Sequence, residues 1–309
     1  MKQGWLVLIF LCLIESGASA NSNSIKLYVF PSRPVRIDWQ DPRSLLQSML
    51  GAILRNKTHA IGHVSVDVQC ENGYHRLTGA VTEDKGESEK LLLEDKIAFS
   101  ILERGWPGRL EEPDEIHEAI RKAREKVDGF STAEFEINGP ACLRVQQFLE
   151  EYDHSDHPKY YGFAARPRRH EGAGCSAFAA AVLEVAGILT PEMNQAWLRS
   201  VQIPFSLMPP RSQSPQMSII EVLDHPDSEF WARDDVLNMN LVFYDPDLMH
   251  DWVKSFGQKK NGEPYLEVYA TLAPVPTDPI FSGEPELVDF GLGTVARPQT
   301  PGQSFVLAP

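Results

Sequence analysis

The chain is short of basic residues: 29 Lys and Arg stand against 43 Asp and Glu, a formal net charge of −14. Nucleic acid and an anionic membrane surface both demand clustered Lys and Arg, so neither is expected as a partner. One basic run, Arg166, Arg168, Arg169 and His170, is too short to reverse that balance. Long apolar runs are scarce too. The one near the N-terminus, Trp5 to Ile14, is about half the length a bilayer-spanning helix needs, and no later run is longer. Lys2 before it and Ala18-Ser19-Ala20 after it make the pattern of a cleaved secretory signal. A mature chain beginning near Asn21, with no transmembrane segment and a secreted or periplasmic location, is therefore expected. Cys12 does not follow the small residues of a lipoprotein site, so no lipid anchor is expected.

Cysteine is the next scarcity. Of four, Cys12 leaves with the signal, and Cys70, Cys142 and Cys175 remain. An odd count in an oxidising compartment implies an unpaired thiol or an intermolecular bridge. Pairing of Cys70 with Cys142 leaves Cys175 free; three buried, inert thiols are the alternative. No internal repeat is present. What is abundant is ordinary globular material, 42% hydrophobic residues, ample for a core.

Ile25 to Phe30 read as a strand, and Asp41-Pro42 as the N-cap and first position of a helix from Arg43 to Arg55. Gly62 to Gln69 alternate, with Val64, Val66 and Val68 on one face and Ser65, Asp67 and Gln69 on the other, the pattern of a half-buried strand. Glu71-Asn72-Gly73 is a hairpin signal in which Asn-Gly supplies positive φ angles, and Tyr74 to Val81 form the return strand. Lys96 to Trp106 read as a further strand, Pro113 to Val127 as a helix, Thr132 to Ile137 as a strand and Ala141 to Tyr152 as an amphipathic helix. A polar loop spans Asp153 to Arg169. Beyond Thr190, Pro-rich connections separate strand segments at Met217 to Leu223, Asn238 to Phe243 and Tyr265 to Leu272. The Pro/Gly-rich tail is not assigned structure. Two arrangements are open at residue 200: a domain boundary, or later strands that complete the first half's sheet.

The chemistry centres on Gly172-Ala173-Gly174-Cys175-Ser176-Ala177-Phe178. Two glycines permit a tight turn, and the Ala-rich run after them favours a helix, with Phe178, Val182 and Leu183 facing a core. Cys175 falls in the first turn, where free N–H groups and the helix dipole stabilise a thiolate and can hold an oxyanion. The alternative is a small apolar residue at the start of a packed helix. A thiol nucleophile needs a base, and the base needs an orienter. His63 opens the first hairpin strand and His75 lies on the return strand; side by side, one imidazole would fix the tautomer of the other. The alternative is two histidines on the polar face of an exposed hairpin.

These segments resemble the NlpC/P60 papain-like superfamily. Gly62-His63-Val64-Ser65-Val66 and Glu71-Asn72-Gly73-Tyr74-His75 resemble its histidine hairpin, and Gly174-Cys175-Ser176-Ala177-Phe178 its nucleophile helix. The His hairpin precedes the Cys helix, as in the circularly permuted branch. The resemblance covers about residues 55 to 190. It implies an α+β papain-like fold with an antiparallel sheet packed on the nucleophile-bearing helix, Cys175 as nucleophile, His63 as base and acid, and His75 as orienter. The division expected is a signal at 1–20, a hydrolase domain at 21–200 and a strand-containing extension at 201–309. The helix at 113–127 departs from compact members.

Arg168 and Arg169 are placed to grip a substrate carboxylate, with Tyr161 lining the same cleft; solvent-facing charge and simple packing are the alternatives. His59 and His63 have helical zinc spacing but lack the intervening Glu, and the Val alternation makes a strand, so no metal or cofactor is expected. Asp153-His154-Ser155-Asp156-His157 holds ligand-type residues in what reads as a solvated loop. Asn56-Lys57-Thr58 fits a glycosylation sequon. The expected function is an exported cysteine hydrolase acting on a peptide or amide substrate, cell-wall peptidoglycan among them. The competing readings are an inactive binding or structural protein on the same fold, and an acyltransferase or lipid hydrolase.

Overall fold

The computed structural model describes residues 23–33, 35–55, 61–83, 90, 99–103, 105–126, 129–163, 165–208, 217–282, 287–289 and 294–296. The segment expected to be a signal, 1–20, the sequon at 56–58 and His59 lie outside them. Among the described residues the protein is mixed α+β, with seven α-helices and both antiparallel and mixed sheets. No helix there is long and apolar enough to cross a membrane.

The first half runs β1 (Ser24–Phe30), α1 (Pro42–Arg55), β2 (His63–Gln69), β3 (His75–Thr78), β4 (Ala80–Thr82) and β5 (Trp106–Leu110), then α2 (Pro113–Arg124) and β6 (Ser131–Glu136). It continues through α3 (Gly139–His154), β7 (Tyr160–Tyr161) and α4 (Cys175–Val185). Then follow α5 (Pro191–Trp197), β8 (Leu198–Pro204), α6 (Ile219–Asp224), β9 (Asn238–Tyr244), α7 (Pro246–Ser255), β10 (Lys259–Lys260) and β11 (Glu263–Tyr269). Asp41 caps α1 as its sequence predicts, its carboxylate accepting from Ser44 N at 2.7 Å.

The main sheet has the order β10-β11-β6-β1-β2-β3, antiparallel except where β11 lies parallel to β6. A strand from beyond residue 200 thus completes the sheet of the first half. Ile25, Leu27 and Val29 of β1, Val64, Val66 and Val68 of β2, and Ala133 and Phe135 of β6 form a core with α3 and α4. The opposite face is covered as well: Phe30 and Leu77 pack against Ile116, Ile120 and Ala123 of α2. β2 is therefore not the half-buried strand its alternation implies. Ser65 and Asp67 are buried like the valines because α2 lies over their side of the sheet.

The hairpin turn also differs in detail. Gly73 has φ +90°, while Asn72 does not have positive φ and instead accepts from Tyr74 N. With Gly73 N bonded to Cys70 O and Cys70 N to Tyr74 O, this is a three-residue loop closing with glycine in the left-handed region. The return strand breaks at Gly79. Before it, β3 stays on β2; after it, β4 leaves to pair with β5 in a small sheet of order β4-β5-β7.

Two local expectations are corrected. Residues Phe99–Glu103 form a 3-10 turn and the strand begins only at Trp106. Met217 to Leu223 holds the helix α6, because Ser218 and Glu221 make a reciprocal capping box that starts a helix. A second core, built from α1, the β8–β9 ribbon and α6, includes Leu45, Leu46, Val201, Ile203, Val222 and Leu241. Tyr161 packs against both cores.

Candidate active site

Cys175 is the first residue of α4, behind a Gly174 cap in extended backbone. Gly172 makes the approach possible. Its φ is +82°, and a Cβ there would overlap the Tyr160 carbonyl. Among the described residues Cys175 is the one free cysteine, since Cys70 and Cys142 form a disulfide between the end of β2 and the first turn of α3.

The groups that act on the Cys175 sulfur, each lowering the thiol against its burial, are His63, the Tyr161 hydroxyl and the Val64 backbone. His63 Nε2 lies 2.7 Å from Glu111 Oε2, which leaves Nδ1 as the ring nitrogen for the sulfur. Glu111 follows β5 directly, at the entry to α2. The same carboxylate oxygen accepts from Ser65 Oγ at 2.9 Å, and Thr78 Oγ1 donates to the Glu111 carbonyl. Cys175, His63 and Glu111 thus form a continuous line, each no more than 5% exposed.

Burial opposes every charge in this line, and the charges answer one another. Burial pulls the His63 imidazolium down, but the Glu111 carboxylate and the Cys175 sulfur outweigh it and raise His63 to about 10. Burial pushes the Cys175 thiol up, yet His63, the Tyr161 hydroxyl and the Val64 N–H bring it below its ordinary value. Tyr161 goes the other way: burial, then the adjacent sulfur, holds its hydroxyl well above the usual range. It stays protonated beside the sulfur. The arrangement favours a thiolate–imidazolium pair with two N–H or O–H donors beside it.

The structure brings Cys175, His63 and Tyr161 together. It does not bring His75 to them. The loop centred on Asn72 pairs Gln69 with His75 and Val66 with Thr78, so His75 sits six residues along β2 from His63, about 20 Å at strand rise. There its Nε2 meets Asp67 Oδ1 at 2.8 Å, with the imidazole mostly exposed. The orienting position expected for His75 is occupied by Glu111, which sequence reasoning missed. One signal exists: a buried histidine base is most often oriented by a carboxylate. But β5 carries Pro107 and Gly108 and does not read as a strand, so no strand end points to Glu111.

Arg168 is not presented to a cleft. It is buried, and its guanidinium donates to Glu184 Oε1 at 2.7 Å, Ile280 O at 3.1 Å, Pro279 O at 2.8 Å and Asp278. It ties the 278–282 segment to α4. Arg169 bonds through its backbone N to Arg166 O within a 3-10 turn. Arg168→Met is expected to cost about 2 kcal/mol in denaturant unfolding, by removing charge-assisted bonds to the Ile280 and Pro279 carbonyls, and to leave Cys175 alkylation unchanged. A substrate-gripping role predicts little loss of stability instead.

Asp153, His154 and Asp156 are exposed, in keeping with the solvated segment expected there. His154 Nδ1 meets Glu150 O at 2.6 Å, Lys159 pairs with Asp156, and His157 Nε2 lies 3.0 Å from His170 Nδ1. No group of three or more His, Cys, Asp or Glu suited to a metal ion occurs among the described residues. No family model, curated protein or solved structure matches this chain.

Proposed function

We propose that this chain is an exported cysteine hydrolase of an amide or peptide bond, built on a circularly permuted papain-like fold of the NlpC/P60 type. The observation that carries this reading is the buried line from Cys175 through His63 to Glu111. A buried carboxylate on a buried imidazole on a buried sulfur is costly unless the three charges serve one another. The order of parts supports the permuted reading: the histidine strand precedes the cysteine helix and packs beside it.

In the proposed reaction the Cys175 thiolate attacks the substrate carbonyl carbon and an S–C bond forms. As the S–C bond forms, the Tyr161 hydroxyl turns from the sulfur to the tetrahedral oxyanion, which the Cys175 backbone N–H also meets. As the C–N bond breaks, the His63 imidazolium gives its proton to the leaving amine. Water then attacks the thioester, His63 takes the water's proton, and the acid and the thiolate are released. Glu111 touches no reacting atom; it orients His63 and stabilises its charge. The Cys70–Cys142 disulfide is compatible with an oxidising compartment, which supports the exported location. Peptides of the cell wall are the substrate class proposed.

The test is the pH profile of Cys175 alkylation by iodoacetamide in the purified protein. A thiolate held by His63 reacts at pH 6 about 100-fold faster than an ordinary thiol, and His63→Ala abolishes that advantage. Slow, thiol-like alkylation that His63→Ala does not change refutes the proposal and leaves an inert protein on this fold.

A further inference from the structure

Glu111 is held by more than its bond to His63. Its Oε2 accepts from both His63 Nε2 and Ser65 Oγ. His63 and Ser65 lie two apart on β2, so both side chains emerge on the same face of the strand. The Glu111 backbone is pinned as well: its N–H donates to Gly79 O at 2.8 Å, and its carbonyl accepts from Thr78 Oγ1 at 3.1 Å.

Gly79 is the tightest part of this arrangement. It has no positive φ, so its backbone conformation does not demand glycine. Space does. A Cβ built there would overlap Glu111 Oε2 itself, with Val64 O at 3.2 Å and Ser65 Cα at 3.4 Å behind it. The carboxylate oxygen that meets the imidazole occupies the volume of the missing side chain, and the backbone on the other side leaves no room to yield. Gly79 is also where the chain passes from the main sheet to the small sheet that carries Glu111.

We propose that Gly79 and Ser65 are positioning residues: together they form a seat in β2 and its neighbour that places the Glu111 carboxylate on His63. This rests on the hydrolase reading above and extends it to two residues that touch neither sulfur nor substrate. The seat gives a physical reason for a glycine where a strand would otherwise run unbroken, and for a hydroxyl at a fully buried strand position.

Gly79→Ala in the full chain, compared with Glu111→Gln and His63→Ala, tests it by the pH profile of iodoacetamide alkylation. Gly79→Ala is expected to slow alkylation at pH 6 about tenfold or more and to move the reactive limb toward the alkaline range of a free thiol. Glu111→Gln combined with Gly79→Ala should be no slower than Glu111→Gln alone, because both act through one carboxylate. A merely structural glycine lowers the melting temperature without moving the profile. If Gly79→Ala does not fold, Ser65→Ala, a near-isosteric change, carries the test with the same direction and the same non-additivity. An unchanged profile in the folded variants, or additive effects with Glu111→Gln, overturns the seat while the hydrolase reading stands. No response to Glu111→Gln and His63→Ala overturns both.

Discussion

Replacing Glu111 with Gln is expected to slow Cys175 alkylation at pH 6 to 7 about 10- to 100-fold while leaving the protein folded. The amide keeps the shape of the carboxylate and can still meet His63, but it carries no charge. Burial then draws the His63 imidazolium down from about 10 with only the sulfur opposing it. Each factor of ten in the ion-pair population corresponds to about 1.4 kcal/mol, and a charge-assisted bond inside a protein contributes about 1.5–3 kcal/mol. The loss therefore spans one to two orders of magnitude. The variant's profile should rise only at alkaline pH, where an ordinary buried thiol ionises. The raised His63 value also has a stability consequence. A histidine raised above its unfolded 6.5 contributes stability fully below that pH, and the contribution disappears as pH rises through about 10. The gap in unfolding free energy between the natural protein and Glu111→Gln should accordingly close near pH 10. A wild-type alkylation profile in Glu111→Gln would remove Glu111 from the mechanism.

Removing the disulfide is the second large effect. Cys70 and Cys142 are separated by 72 residues, and closing a loop of that length lowers the entropy of the unfolded chain by an amount equivalent to about 4 kcal/mol at 25 °C. For a chain of this size that corresponds to a fall in melting temperature of roughly 10 °C. The double variant Cys70→Ala/Cys142→Ala is the right comparison, because a single change leaves a thiol able to exchange with Cys175. The closed loop contains Gly79, β5 and Glu111, but the bridge itself lies at the far end of β2 from His63. Below its melting temperature the double variant should thus keep the wild-type alkylation profile. A coincident loss of reactivity would show that the bridge holds the site as well as the fold.

Several elements are legible from local pattern. The Asp41-Pro42 start of α1, the valine alternation of β2, the apolar stripe of α2 and the glycine-then-alanine run into α4 all have short-range causes. Each is readable within a dozen residues. Where local pattern fails, a second local signal or a distant neighbour prevails. Met217 to Leu223 has strand-like residues but also a Ser-x-x-Glu capping box, and the box wins. Arg168 looks like a free charge in sequence. It is buried because Asp278, Pro279 and Ile280, more than a hundred residues on, supply acceptors for its guanidinium. The expected His63–His75 pairing is an error of register, and the hairpin's own spacing exposes it. A loop centred on residue 72 pairs 69 with 75, and pairs 63 with a residue beyond the Gly79 break.

The scarcity of cysteine narrowed one thing about this protein by arithmetic: of the three cysteines among the described residues, Cys70, Cys142 and Cys175, at least one has no partner among the other two. The helix-start pattern at Gly174-Cys175 likewise placed Cys175 where its N–H environment favours a thiolate, since dipole and free donors belong to any first turn. Only the tertiary structure decided which cysteine was free, and that the carboxylate facing His63 belongs to Glu111. Local periodicity reports which face of an element is apolar, but not what packs on the other. Glu111 reaches His63 because β4 leaves the main sheet at Gly79, pairs with β5 and delivers the end of β5 to the face of β2 that α2 covers. That is a matter of register and layer packing between residues 48 apart, and no short window of sequence contains it.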